Sequence, residues 1–461
     1  MGSADTARRA ELEAALLRRL RGGRQGIPRL PRPAGTARFP ASPAQVEAWN
    51  RAHAATAPDR VVLSGLRLRG PLDVPALDRA LAAVVGRHET LRTAFEPTDD
   101  GLVQVVHPTA DVPLTVVEAT EEDFAAQTLA ALEPGLDLGT GPLLRFRLLR
   151  LAADDHIAIV VLHHAIADAR ATEVLLADLV EAYLGAELAP LPVQYADFAV
   201  WQREQLALPA AEAKAEYWVT RLAGAHAVPI PADTPPSDGP ADRGELLAVP
   251  VPDDLFARLR EFATARGTTV FVVALAAFQL LLARLGGTRD VAVSVRVAFR
   301  DRAELEDLVA DFSQPVVSRI DLAGDPSFET VVATARDRFA EDLDHADVPR
   351  ALVVPKLPEH VVELFDRLEF GVDRETATDA PGIGLGLEPL APHWPYAERA
   401  LTVRLGHDDE HAALHLTYRC RDFSRARVED LAADYLTVLA DGLDHPAAGP
   451  LRPGAPALRI G

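Results

Sequence analysis

One cysteine, Cys420, stands in 461 residues. An internal disulfide is thereby excluded, a reducing cytoplasmic setting fits, and little room is left for a cysteine nucleophile. Basic charge is also scarce: 47 Lys and Arg face 68 Asp and Glu, for a net charge of −21. That balance argues against a nucleic-acid partner, because a phosphate backbone needs a basic face. Long apolar runs are missing. The longest, 269–285, is broken by Gln279 and Arg284 and is too short to span a bilayer. The first residues, 1–26, are charged rather than leader-like, so no membrane partner is expected. Three motifs are absent as well: the G-x-S-x-G elbow, the G-x-x-x-x-G-K-[ST] loop, and G-x-G-x-x-G after a strand. Serine hydrolysis and nucleotide binding therefore lack support. Gly382 to Gly386 (GIGLG) lies in a Pro-flanked stretch and reads as a turn.

What is present suffices for large cores. Hydrophobic residues make up 48% of the chain, and its length leaves room for about two to three domains. The segment 5–21 reads as an amphipathic helix, and 22–40, rich in Gly, Pro and Arg, as an extended arm or linker. Ordered structure is expected from Phe39. Ser42 looks like the N-cap of a helix reaching about His53. Strand patterns at 60–69, 102–106, 114–118 and 143–151 alternate with helical ones at 74–88 and 123–132. Gln194 opens a long helical region that runs to Leu222. A second α/β pattern follows the Pro- and Asp-rich crossover at 228–242 and ends in a helix at 424–443. The chain thus holds two successive α+β halves of similar size, and a site at their interface is expected.

The rest is organised around 155–188. His156 to Leu162 is apolar and β-branched, as a buried strand requires, and Val174, Leu175, Leu179, Ala182 and Tyr183 recur at helical spacing. Between them lies His163-His164-Ala165-Ile166-Ala167-Asp168-Ala169. Adjacent histidines on an extended segment point to opposite faces, and no further Cys/His pattern completes a ligand set, so no metal is expected. Two readings stay open. The histidines are core or capping residues with Asp168 as a helix N-cap, or one histidine is catalytic or positioning and Asp168 is a buried ion-pair partner shaping the loop. A lone histidine can support acyl transfer by taking a proton from an amine or hydroxyl while that group attacks a thioester.

Spaced motifs narrow the choice. The loop resembles the H-H-x-x-x-D-G signature of the condensation domains of nonribosomal peptide synthetases, which share the chloramphenicol acetyltransferase and CoA-dependent acyltransferase fold. Ser42-Pro43-Ala44-Gln45 with Trp49 is similar to that family's first motif, 87–95 (RHETLRTAF) to its second, and 195–201 (YADFAVW) to its fourth. Arg300-Asp301-Arg302-Ala303-Glu304-Leu305-Glu306 resembles G-R-x-R-P-E-L-E, 345–349 resembles H-x-D-V-P, and 421–425 falls where the last motif lies. The motifs appear in family order over 39–443.

The resemblance implies an α+β fold of two chloramphenicol-acetyltransferase-like lobes in a V-shaped pseudo-dimer, with the active site in a tunnel at their interface. Residues 1–38 would be an N-terminal helix and linker, 39–208 the N-terminal lobe and 209–461 the C-terminal lobe. His164 would face the channel as general base or positioning group, and His163 would be mainly structural. Asp168 would pair with Arg300 across the lobe junction. Arg87 and Arg92 are read as structural ion-pairing residues near the site, and Tyr195 and Trp201 as packing. The implied reaction joins a carrier-bound acyl or aminoacyl thioester to an amine or hydroxyl acceptor. No cofactor would be bound, since phosphopantetheine arms of peptidyl or acyl carrier proteins deliver the substrates. Arg18, Arg19, Arg21, Arg24 and Arg29 are available to meet acidic carriers, or form a solvated face.

The chain departs from the family at several points. Ala169 replaces the signature glycine, adding a Cβ and disfavouring positive φ. Phe299 replaces a small residue, Phe312-Ser313-Gln314-Pro315 stands for F-V-N-T, and Arg350 occupies a position where Phe is usual. No adenylation or carrier segment is seen before Gly461, so partners acting in trans, or a domain cut from a synthetase, are expected. The alternatives are an O-acyltransferase using a soluble alcohol, and a catalytically silent domain that recruits a partner.

Overall fold

The computed structural model describes residues 26–54, 61–133, 135–230, 232–233, 243–374, 385–390, 396–449 and 456–460. The helix expected at 5–21, with Arg18, Arg19, Arg21 and Arg24, lies outside them. The chain divides into two compact units. Met1–Ala207, Ala298–Phe312 and Ala380–Leu390 form the first, and Leu208–Val297, Ser313–Asp379 and Ala391–Gly461 the second. The continuous lobes expected at 39–208 and 209–461 are corrected in this respect: two segments of the later half belong to the first unit. Their membership depends on contacts distant in sequence, which local patterning does not reveal.

The first unit contains β1 (Ala37–Pro40), α1 (Pro43–Ala52), β2 (Val61–Arg69), α2 (Val74–Arg87), β3 (Thr93–Thr98), β4 (Gly101–Val106) and β5 (Leu114–Glu118). It continues with α3 (Phe124–Leu132), β6 (Leu144–Ala152), β7 (Asp155–His163), α4 (Ala169–Tyr183) and α5 (Tyr195–Leu206). Strand Gly386–Leu390 joins β2, β7, β6 and β5, in that order, to make a five-stranded sheet, while β1, β4 and β3 form a small antiparallel one. β7 lies at the centre, antiparallel to both β2 and β6. Its Ile157, Ile159, Val160 and Val161 are all buried, as suits a strand covered on both faces. α2 buries Leu77, Leu81, Val84 and Val85, one helical stripe, against α4. Each such side chain contributes about 1.5–3 kcal/mol when fully buried. This core holds both ends of the 163–169 loop.

Three expectations change in detail. The arm at 26–36 is docked rather than a free linker. Ile27 is buried, the Leu30 N–H donates to Asp197 at 2.9 Å, and Arg32 spans Glu89 (2.8 Å) and Asp197 (2.9 Å). The helical region at 194–222 is two helices, because the chain breaks at 207–208 and Pro209 starts a new one. In the stretch read as a GIGLG turn, Gly386 begins a strand antiparallel to β2, while 382–384 lie outside the described residues. A Cβ on Gly65 of β2 would come within 2.9 Å of the Leu390 carbonyl, so glycine permits this close pairing.

The second unit comprises α6 (Pro209–Leu222), β8 (Gly244–Val251), α7 (Asp253–Ala265), α8 (Val270–Gly286), β9 (Asp290–Ala298, whose last residue falls in the first unit), β10 (Ser313–Asp321) and α9 (Phe328–Asp344). α10 (Glu359–Arg367), β11 (Leu368–Arg374), β12 (Leu401–His407), β13 (Ala412–Arg419) and α11 (Arg425–Asp444) follow. The sheet order is β10-β9-β11-β12-β13-β8. α8 is the core helix, capped by Thr269 and ended by Gly287 in the left-handed region. No single described helix is long and apolar enough to cross a membrane. α7 and α8 reach that length only together, bent by 110°. On β11, Glu369 is 2% exposed and ion-paired with Arg296 (3.2 Å), Arg399 (3.1 Å) and Arg404 (3.4 Å). Burial pushes its carboxyl up, but the three guanidiniums outweigh that and hold it at about 2.

Candidate active site

The polar loop leaves the C-terminal end of β7 in the first unit. His163, 1% exposed, is tied into the turn it begins. Its N–H donates to the Leu143 carbonyl at 2.9 Å, its carbonyl accepts from the Ile166 N–H at 3.0 Å, and its Nδ1 accepts from the Ala165 N–H at 3.0 Å. These bonds give His163 a structural role in the turn. His164 follows on the other face. Its side chain is 15% exposed, and its Nδ1 lies 3.0 Å from Asp311 Oδ2.

Asp168 has extended backbone angles (φ −112°, ψ −176°) and caps α4 by accepting from the Ala171 N–H at 2.7 Å. The same carboxylate accepts from Arg300 Nη2 at 3.2 Å and from the Phe312 N–H at 3.0 Å. The capping and ion-pair readings therefore coexist. Both side chains are buried. Arg300 also donates to the carbonyls of Leu305 (2.7 Å), Leu308 (2.8 Å) and Ala310 (3.1 Å), and its guanidinium lies over the Phe312 ring. The segment 298–312 is wound around this one side chain. The pair was expected to bridge two lobes; instead, both residues belong to the first unit.

The second motif clamps the same segment. His88 is buried, its Nδ1 accepts from the Val309 N–H at 3.3 Å, and its Nε2–H donates to Asp178 at 2.6 Å. A backbone N–H can only donate and a carboxylate can only accept, which fixes this tautomer. Burial also lowers the His88 pKa and outweighs the attraction of Asp178. Thr90 donates to the Val309 carbonyl at 2.5 Å. Arg87 bonds to Asp178 and to the Ala189 carbonyl, and Arg92 to Glu89 (3.7 Å) and the His107 carbonyl. Their contacts are structural.

Ala169 is the exposed first residue of α4. Among the described residues Asp325 is the only non-glycine with positive φ, so Ala169 carries none of the strain its substitution for glycine suggested. Phe299 donates its N–H to the Phe312 carbonyl at 2.9 Å. Arg350, in the second unit, is held bidentately by Asp366 at 2.8 Å. Trp201 packs beneath Arg302. Tyr195 does more than pack: its hydroxyl donates to the Asp311 carbonyl at 3.1 Å and accepts from Ser42 at 2.9 Å. Burial pushes the Tyr195 pKa far up, which keeps that hydroxyl a donor.

His163, His164, Asp168, Ala169 and Arg300 thus share one locality. Sequence reasoning missed Asp311, which lies between two recognisable motifs and 147 residues from the histidine it meets. No local spacing marks it. No cluster of three or more His, Cys, Asp or Glu able to hold a metal occurs among the described residues.

Residues 37–450 match the family model described as Condensation domain. A linear gramicidin synthase polypeptide of Brevibacillus parabrevis is 37% identical over 308 residues, 64% of this chain but 6% of that protein. The chain therefore spans a small part of the curated relatives it matches. The X-domain from teicoplanin biosynthesis, solved in complex with OxyB, superposes with a TM-score of 0.80 at 30% identity, covering 92% of this chain and 97% of that one. SgcC5 of Streptomyces globisporus superposes with a TM-score of 0.71 at 27% identity, covering 85% and 94%.

Proposed function

The chain belongs to the condensation-domain family, and from that premise we propose that it joins a carrier-bound acyl or aminoacyl thioester to an amine or hydroxyl acceptor. Its fold is the chloramphenicol-acetyltransferase-like one of condensation domains. The reaction belongs to nonribosomal peptide or hybrid natural-product assembly in the reducing cytoplasm. Phosphopantetheine arms of carrier proteins present the donor and, in some cases, the acceptor. No cofactor takes part, because a thioester is already activated and its carbonyl needs only a well-placed nucleophile. His164 accepts the proton of the attacking group, His163 shapes the turn, and Asp168 with Arg300 fixes the backbone opposite. The observation that carries this reading is a half-buried histidine whose Nδ1 is engaged by a carboxylate at 3.0 Å, in a loop pinned by a buried ion pair. The test is a mass-spectrometric assay offering a panel of carrier-bound acyl thioesters to mixed amines and alcohols. The wild type should form an amide or ester, and His164→Ala should lose it while keeping its melting curve. Full activity in that variant would remove His164 from the chemistry.

One observation favours a second reading, a domain that recruits a partner enzyme: the 30% identical X-domain was solved bound to OxyB. No product across the panel, with binding of a partner retained, would select it.

A further inference from the structure

Asp311 is the acidic residue that the motifs do not account for. Its carboxylate Oδ2 lies 3.0 Å from His164 Nδ1, and the two side chains are 11% and 15% exposed. We propose that Asp311 is the positioning residue for His164, setting its tautomer and stabilising the imidazolium that forms during acyl transfer. The inference rests on the condensation reading above and deepens it.

The hydrogen-bond chemistry is decisive. An ionised carboxylate only accepts, so the proton between the two groups sits on Nδ1. Neutral His164 then carries its free lone pair on Nε2. The backbone around Asp311 is built to hold this arrangement. The Ala310 carbonyl accepts from Arg300 at 3.1 Å, the Asp311 carbonyl from the Tyr195 hydroxyl at 3.1 Å, and the Phe312 N–H donates to Asp168 at 3.0 Å. Three consecutive residues are pinned by three buried side chains. The Phe312 ring adds edge contacts to Tyr195 (5.3 Å) and Phe198 (5.0 Å). Arg300 and Asp168 bond to the residues that flank Asp311, so the ion pair of the signature loop reaches His164 indirectly, through the acid it orients.

In the reaction, the acceptor nitrogen or oxygen attacks the thioester carbonyl carbon and the new C–N or C–O bond forms. The acceptor's proton passes to His164 Nε2. The tetrahedral intermediate collapses, the C–S bond breaks, and the departing sulfur takes that proton back to leave as a thiol. His164 is positively charged only between the two transfers, and in that interval the Asp311 carboxylate faces it across one hydrogen bond.

Two measurements test the assignment. Nitrogen NMR of the full chain labelled at histidine, with the His164 signals identified by their loss in His164→Gln, should show the neutral ring protonated on Nδ1. An Nε2–H tautomer in the wild type would overturn the proposal, whatever any variant does. In the carrier-thioester assay, Asp311→Asn should lower kcat by at least about 10-fold with KM little changed, since losing the acid that orients a general-base histidine can cost up to about 10⁴-fold in kcat. Asp311→Glu should recover part of that loss. Full kcat in Asp311→Asn, with His164→Ala inactive, would sink the positioning role and leave the condensation reading standing. Full activity in His164→Ala would instead remove His164 from the chemistry and sink the positioning role with it, and no product from the wild type across the panel would sink the condensation reading itself. If Asp311→Asn melts at a much lower temperature, the wild-type tautomer alone decides.

Discussion

Asp168→Ala removes three bonds at once: the cap to Ala171, the ion pair to Arg300, and the acceptor of the Phe312 N–H. Loss of an N-cap costs about 1 kcal/mol. A buried N–H left without an acceptor costs about 1–3 kcal/mol. Breaking a buried ion pair from one side costs about 3–5 kcal/mol, because the other charge stays behind. These figures describe overlapping parts of one event and do not add. Arg300 also keeps its bonds to the Leu305, Leu308 and Ala310 carbonyls, which limits the damage. The expected total is therefore about 3–5 kcal/mol. Neither side chain exceeds 8% exposure, so solvent does not screen the pair. Urea unfolding would read the change as a lower midpoint, and amide exchange at Ala171 and Phe312 would rise together. A double-mutant cycle with Arg300→Met should show coupling of about 0.5–3 kcal/mol. An unchanged midpoint with Phe312 still protected, or strict additivity in the cycle, would refute the reasoning.

Two further outcomes follow from the geometry. Arg32→Ala releases the docked arm from Glu89 and Asp197; subtilisin should then cleave within 26–36 faster than in the wild type, with a stability loss of about 1–3 kcal/mol, and equal cleavage rates would mean the arm is held otherwise. Glu369 has a folded-state pKa depressed from 4.5 to about 2, so its contribution is complete above 4.5 and is lost as pH falls toward 2. The stability gap between wild type and Glu369→Gln should shrink over that interval, and a gap constant with pH would contradict the ion-pair cluster.

The parts of the fold that could be read from sequence are those coded by local periodicity. α2 announces itself through Leu77, Leu81, Val84 and Val85, and β7 through its β-branched run, because both patterns reflect burial of one continuous element. The loop 163–169 and its partner Arg300 were legible because spaced motifs mark them. What stayed hidden is non-local. The arm at 26–36 has the Pro, Gly and Arg composition of a linker, yet its docking depends on Glu89 and Asp197, which no window around Arg32 contains. Strand Gly386–Leu390 is short and pairs with a strand more than three hundred residues earlier. Asp311 belongs to the same class, since a single acid beside Phe312 carries no pattern of its own.

The Asp168–Arg300 pair poses an energetic question with a structural answer. A buried ion pair seldom stabilises a fold more than apolar residues of similar volume, because desolvation offsets most of the attraction. Stability alone is therefore a weak reason for this one. Its bonds point to another. Asp168 takes the N–H of Phe312, Arg300 takes the carbonyl of Ala310, and the residue between them carries the carboxylate that meets His164. Two apolar side chains could fill the same space, but they could bond to neither backbone group, and the chain at 310–312 would then be held by packing only. Small errors of placement matter in acyl transfer, where reacting groups must be held about 3–3.5 Å apart. The ion pair earns its position through geometry: it fixes a stretch of backbone distant in sequence, and with it the proton on His164.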